Sequence, residues 1–369
     1  MSRSHALFDQ WYECGDKKFF NIWQAFDYQK QTGHFTHYRF DREFLDSIKN
    51  IKRPKNLCHQ YIKNLIITRL KQLRKQNKYL RLALGGGTDS FTILKYCVQH
   101  DIYIDEVFTQ MTSIDSTAIK PNIEYLPAFD FARRHVGTCI GRIKRLHPTI
   151  KDLENVLVSD WYKDPNYVKG NHLPGRWCIP NVYLKHTNLP INETITITGI
   201  DKPFIKRHDN KFYYCQIDST ISELMGCDNV LPLFLDKHNP ELAVAMAYGL
   251  LDHGDTTKDF ISYSSQPADK KLAVLHNMGL ESTGHHFIDF HLLGKNTVDV
   301  LNRKNQAAHK ELRELGRQDI CDGFLSCMDK IIKDYQHLPH TITIKDNKYI
   351  ETVRRLTDEI PIYQDSFGS

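Results

Sequence analysis

Leu80-Arg81-Leu82-Ala83-Leu84 is a short, mostly apolar run that stops at three consecutive glycines, Gly85-Gly86-Gly87, before Thr88-Asp89-Ser90-Phe91-Thr92-Ile93-Leu94-Lys95-Tyr96 resumes with helical patterning. That order predicts a buried strand over 79–84, a tight turn, and a helix over 89–99. Glycine admits positive φ and lets a ligand approach the backbone with no Cβ in the way. A helix that starts directly afterwards aims its unpaired N–H groups and the positive end of its dipole at the same place. Thr88 and Ser90 add hydroxyl donors. The stretch therefore predicts an anion site at the end of a strand.

Two common phosphate motifs are excluded. No lysine follows the glycines as Gly-x-x-x-x-Gly-Lys-Ser/Thr demands, and the third glycine of Gly-x-Gly-x-x-Gly is missing. Downstream the pattern alternates between a strand near Glu106–Gln110, a helix near Ile123–His135 and a strand at Thr194–Thr198. Such alternation predicts an α/β fold whose parallel sheet has helices on both faces and binds ligands beyond the carboxyl ends of its strands. Residues 1–76 are read as a mostly helical segment with a helix over Leu57–Lys75, and 77–231 as the α/β domain. Residues 232–369 read as a helical lobe, with helices over Pro240–Leu251, Lys270–Asn277, Thr297–Leu315 and Gly323–Tyr335 and a closing hairpin at 341–350.

Gly86, Gly87, Asp89 and Ser90 resemble the PP-loop of the ATP pyrophosphatase superfamily, Ser-Gly-Gly-x-Asp-Ser after a buried strand, with Gly85 standing where the family has serine. The resemblance implies a HUP-like fold and binding of ATP with Mg²⁺, Gly85, Gly86, Gly87, Thr88, Asp89 and Ser90 holding the pyrophosphate. It implies cleavage of ATP to AMP and pyrophosphate, with adenylation of a carboxylate or carbonyl acceptor that an amine, ammonia or sulfur group then attacks.

A second strand-then-loop signal is Ile195-Thr196-Ile197-Thr198-Gly199-Ile200-Asp201-Lys202, where a glycine frees the turn and presents an acid and a lysine. Mg²⁺ favours one or two carboxylates together with phosphate oxygens, and lysine acts on phosphate as a point charge. Synthetases of the asparagine synthetase type have a similar turn. Asp89 and Asp201 are thus the candidate Mg²⁺ ligands, Gly199 lines the nucleotide, and Lys202 and Asp89 join the catalytic candidates. An ordinary turn with solvated charges is the competing reading.

Arg176-Trp177-Cys178 followed by Leu184-Lys185 resembles, in content and order, a segment of phosphoadenosine phosphosulfate reductase relatives. Arg176 would offset phosphate charge as a catalytic residue and Lys185 would bind the nucleotide. A sulfonucleotide enzyme is therefore the alternative activity, although the C-terminal Glu-Cys-Gly-Leu segment of true reductases is missing. Glu13-Cys14-Gly15 is a chance echo of it. A glutaminase of the asparagine synthetase type is not expected, because Ser2 occupies the position of its cysteine. Gly85 in place of serine keeps a third reading open, a non-catalytic adenine-nucleotide sensor or scaffold.

At 369 residues the chain needs more than one ordinary core. Nine cysteines without a CxxC pair exclude a zinc ribbon and a disulfide framework. Gly284-His285-His286-Phe287-Ile288-Asp289-Phe290-His291 fits no zinc spacing. With no apolar stretch near 18 residues, no membrane contact is expected and the expected place is the cytoplasm, that of the host if the chain is viral, since a loose likeness runs to proteins of large bacteriophages. Basic residues crowd the segment 49–78, a candidate nucleic-acid contact or a solvated helix face. The acceptor, small molecule or nucleic acid, is left open, as is a homo-oligomer.

Overall fold

The computed structural model describes residues 11–19, 22–39, 42–110, 125–147, 149–158, 188–199, 202–208, 211–215, 229–263, 266–282, 310–335, 343–345, 349–351 and 360–361. It begins with strands β1 (Trp11–Cys14) and β2 (Lys17–Phe19), helix α1 (Ile22–Thr32) and strand β3 (Thr36–Arg39). The three strands form an antiparallel sheet, β2-β1-β3, in the segment read as mostly helical. Tyr12 and Cys14 are buried and Glu13 between them is less so, the period of two of a half-buried strand. Four residues are too few for that period to stand out from a helical turn.

Helices α2 (Arg42–Lys49) and α3 (His59–Gln76) follow, and α3 buries Ile62, Ile66, Leu70 and Leu73 along one stripe. The alternating part then runs β4 (Tyr79–Ala83), α4 (Thr88–Gln99), β5 (Ile104–Gln110), α5 (Tyr125–Arg134), β6 (Ile140–Leu146), α6 (Ile150–Val158) and β7 (Thr194–Thr198). Beyond it lie β8 (Phe204–His208), β9 (Lys211–Cys215) and β10 (Val230–Pro232). Next come α7 (Pro240–His253), β11 (Phe260–Ile261), α8 (Ala268–Asn277) and α9 (Gln318–Tyr335), then β12 (Thr343–Lys345), β13 (Tyr349–Glu351) and β14 (Ile360–Pro361). The β12–β13 hairpin pairs Ile344 with Ile350. Residues 297–309, part of an expected helix, lie outside the described residues.

Five parallel strands form the central sheet in the order β10-β7-β4-β5-β6. Numbered by their appearance in this sheet they run 3-2-1-4-5 from the β6 edge, a Rossmann-like arrangement in which the order reverses between β4 and β7. One face is apolar, with Leu80, Leu82, Val107, Ile195, Ile197 and Leu231 in one buried cluster with α3, α4 and α7. The other face carries a polar row beside the apolar Phe108 and Val230. Arg142, Glu106, Arg81 and Thr196 stand in register across four strands, and Glu106, Arg81 and Thr196 are buried.

A second sheet, β11-β8-β9-β14, is antiparallel and was not anticipated. Its Ile205, Tyr214 and Ile261 join the same cluster as the central sheet. That cluster extends from Phe44 to Leu280, so the boundaries expected at 76/77 and 231/232 do not divide the core. Helix α7 shows why: every residue from Leu242 to Leu251 is buried, as a helix apolar on all sides requires. Helix α9 packs on α6, with Gly323 against Leu157 and Arg317 bonded to Glu154 at 2.7 Å.

An ion pair ties α3 to the loop that opens α7. Arg69 Nε donates to Asp236 Oδ2, both side chains being buried, and the backbone N–H of His238 donates to Asp236 Oδ1 at 2.9 Å. Asp236 thus serves packing between α3 and the start of α7. Asp236→Asn keeps the amide contact but leaves Arg69 without its charge partner, and is expected to cost about 2–3 kcal/mol in urea denaturation. A loss below about 0.5 kcal/mol would mean that solvent replaces the carboxylate.

Candidate functional site

Strand β4 passes into the glycine turn with the N–H of Leu84 still bonded to the carbonyl of Phe108 at 2.8 Å, so the turn begins at Gly85. Gly86 has φ +85°, a conformation that a side chain would strain. Ser90 closes the turn: its Oγ accepts from the N–H of Gly85 at 3.2 Å and donates to the carbonyl of Gly87 at 3.3 Å. The residue preceding α4 is Gly87, which has no side chain to cap the helix. The N–H groups of Thr88, Asp89 and Ser90 therefore have no intrahelical partner, and Gly87 supplies no side-chain cap. Beside them, Thr88 is 4% exposed and its Oγ1 is buried with no hydrogen-bond partner among the described residues. A buried hydroxyl without a partner is costly.

The turn after β7 lies against this one. A Cβ on Gly199 would fall 2.7 Å from the carbonyl carbon of Asp89 and 2.7 Å from the nitrogen of Ser90, so glycine is what lets the two turns meet. Three residues on, Lys202 Nζ donates to both oxygens of Asp89 at 2.6 Å, with 16% and 23% of the two side chains exposed. These are the two turns on either side of the point where strand order reverses, the usual ligand crevice of an open α/β sheet.

Tyr263, from the segment after β11, completes the site and was missed from sequence. Its ring lies 4.9 Å from Lys202 Nζ and 5.9 Å from Lys271 Nζ. Burial, and secondarily the Asp89 charge, raise the Tyr263 phenol far above its ordinary range, so it stays protonated. Desolvation lowers the Lys271 ammonium below the usual lysine value. No motif joins Tyr263 to a turn some sixty residues upstream; only the second sheet, whose β8 starts just past Lys202 and pairs with β11, carries the tyrosine there.

Of the sequence candidates, the structure brings together Gly85, Gly86, Gly87, Thr88, Asp89, Ser90, Gly199 and Lys202. Asp201, Arg176 and Lys185 lie outside the described residues, as does 284–291. Among the described residues no group of three or more ligand-type side chains could hold a metal. At Gly85 the nearest atom to an added Cβ is Ser90 Oγ, 4.0 Å away, so a serine there has room.

Five basic residues of the segment 49–78 pair with acids. Lys49 pairs with Asp46, Arg53 with Asp252, Arg69 with Asp236, Arg74 with Asp105 and Lys78 with Glu193. Cys14 is buried and its Sγ donates to the carbonyl of His34 at 3.2 Å, a packing role. Among the described residues no helix is long and apolar enough to cross a membrane. The chain matches no protein-family model and no curated protein.

Proposed function

We propose that the chain is an ATP-dependent adenylating enzyme that cleaves Mg–ATP between the α and β phosphates. The observation that carries this reading is the convergence at the strand-order reversal: an uncapped helix start, the unpartnered Thr88 hydroxyl and the Asp89–Lys202 pair meet at one glycine turn. N–H groups and a hydroxyl suit phosphate oxygens, and Lys202 suits the charge that develops on leaving pyrophosphate. With a single described carboxylate at the turn, the metal fits as an ion carried in on the phosphates, and Mg²⁺ keeps such sparse protein ligation in nucleotide sites.

In this reaction an acceptor oxygen attacks the α-phosphorus, pyrophosphate leaves, and the acceptor is held as an adenylate. An amine, ammonia or sulfur nucleophile then displaces AMP. The chain's part is positioning and charge neutralisation. The test is incubation with α-labelled ATP and Mg²⁺ across pools of amino acids, nucleosides and nucleic acid. AMP is expected, with its formation at least tenfold lower in Asp89→Asn. ADP as product would overturn the reading.

Gly85 favours a second reading, a nucleotide sensor, because it lacks the hydroxyl that the resembling PP-loops have there. ATP binding that raises the melting temperature without AMP formation, in every pool, would establish it.

A further inference from the structure

We propose that Lys202 is a guard cation for Asp89, holding the carboxylate against free divalent ions until a phosphate draws the ammonium away. The proposal rests on reading the glycine turn as a phosphate site.

Both oxygens of Asp89 lie 2.6 Å from the one ammonium, which covers the carboxylate symmetrically. The ammonium is held on a further side by the Tyr263 ring, 4.9 Å from its centroid, a contact that favours a cation over an aromatic face. The pair is three-quarters or more shielded from solvent, with side chains 16% and 23% exposed, so salt screens it less than a surface pair. Its backbone has little freedom, since Gly199 is pressed against the chain at Asp89 and Ser90.

Mg²⁺ needs direct oxygen ligation at about 2.0–2.1 Å and gives up its water reluctantly. At Asp89 it meets a carboxylate already neutralised, and a second cation on the same oxygens is repelled by the first. A polyphosphate offers Lys202 more negative charge than one carboxylate does. Once the ammonium moves to the phosphates, Asp89 is released as a ligand for the ion that travels with them. Nucleotide and divalent ion therefore bind as one event, and free ions alone leave the site as it is.

The test is titration of the nucleotide-free full chain with Mn²⁺, read from the electron paramagnetic resonance signal of the free ion. Wild type and Lys202→Arg are expected to take up no Mn²⁺ at this site. Lys202→Met is expected to bind one Mn²⁺ at least tenfold more tightly than wild type, and Asp89→Asn in the same chain to abolish that binding. Wild type that binds one Mn²⁺ without nucleotide, lost in Asp89→Asn, would overturn the proposal whether or not Lys202→Met folds. So would a Lys202→Met variant with native circular dichroism and unchanged Mn²⁺ uptake. Binding of a non-hydrolysable ATP analogue to wild type in the presence of Mg²⁺ is measured separately. Its absence would remove the adenylation reading, while the nucleotide-free titrations decide the guard role.

Discussion

Glu106→Gln is expected to lower the free energy of unfolding by about 3–5 kcal/mol, a large share of the stability of an ordinary domain. Glu106 is fully buried in the polar row of the central sheet. Its Oε1 accepts from Arg81 Nε at 2.8 Å, and its Oε2 accepts from Arg142 Nε at 2.7 Å and lies 3.4 Å from Lys144 Nζ. Arg81 is 1% exposed, and burial already pulls its guanidinium below the usual range against the opposing pull of Glu106. Removing this negative charge leaves Arg81, Arg142 and Lys144 facing a neutral amide.

The size of the effect comes from desolvation, not from the strength of the pair. Removing both partners is therefore expected to be mild: Arg81→Met with Glu106→Leu should recover most of the loss, because apolar replacements of similar volume carry no desolvation cost. Urea denaturation of Arg81→Met, Glu106→Leu and the double variant measures this coupling. A loss under about 1 kcal/mol in Glu106→Gln would mean that water reaches and screens the row.

Gly199→Ala is expected to reduce AMP formation about 100-fold and to cost about 1–3 kcal/mol of stability. The added carbon would meet backbone atoms on both sides of the Asp89–Ser90 peptide at 2.7 Å, and backbone cannot rotate away as a side-chain tip can. Either the first turn of α4 moves off β7 or the loop bearing Lys202 lifts. Both displace the uncapped N–H groups relative to the ammonium, and displacements near one ångström have effects of this order on catalysis. Steady-state assays with melting curves on the same preparation check it. Full activity in a folded Gly199→Ala would show that the contact between the two turns has no part in the reaction.

The glycine turn was legible because its signal is local. An apolar run, three glycines and a helical pattern occupy neighbouring positions, and the observed β4 and α4 begin within a residue of the expected limits. The Gly199 turn was legible for the same reason, with β7 spanning the residues expected. Strand β7 also shows where reading by pattern stops. Thr-Ile-Thr-Ile-Thr alternates as a strand with one solvated face would, yet all five residues are buried. The threonines face the Arg81–Glu106 row, and nothing near them in sequence announces it. The strands of the N-terminal sheet and of β11 and β14 are two to four residues long, shorter than any window in which a period can be counted.

The sequence by itself determined the parallel α/β class and each of the two glycine turns that end β4 and β7, since each depends on residues close in the chain and on the φ values they permit. Tertiary structure alone decided that Lys202 lies on Asp89 and that Tyr263 holds it from beyond. It also decided that Glu106 is shared by three cations and that Arg53, Arg69, Arg74 and Lys78 pair with acids. Those contacts join residues tens to nearly two hundred positions apart. Their energies come from removing charges from water, and the loss of water is set by the packing of the whole chain around each group.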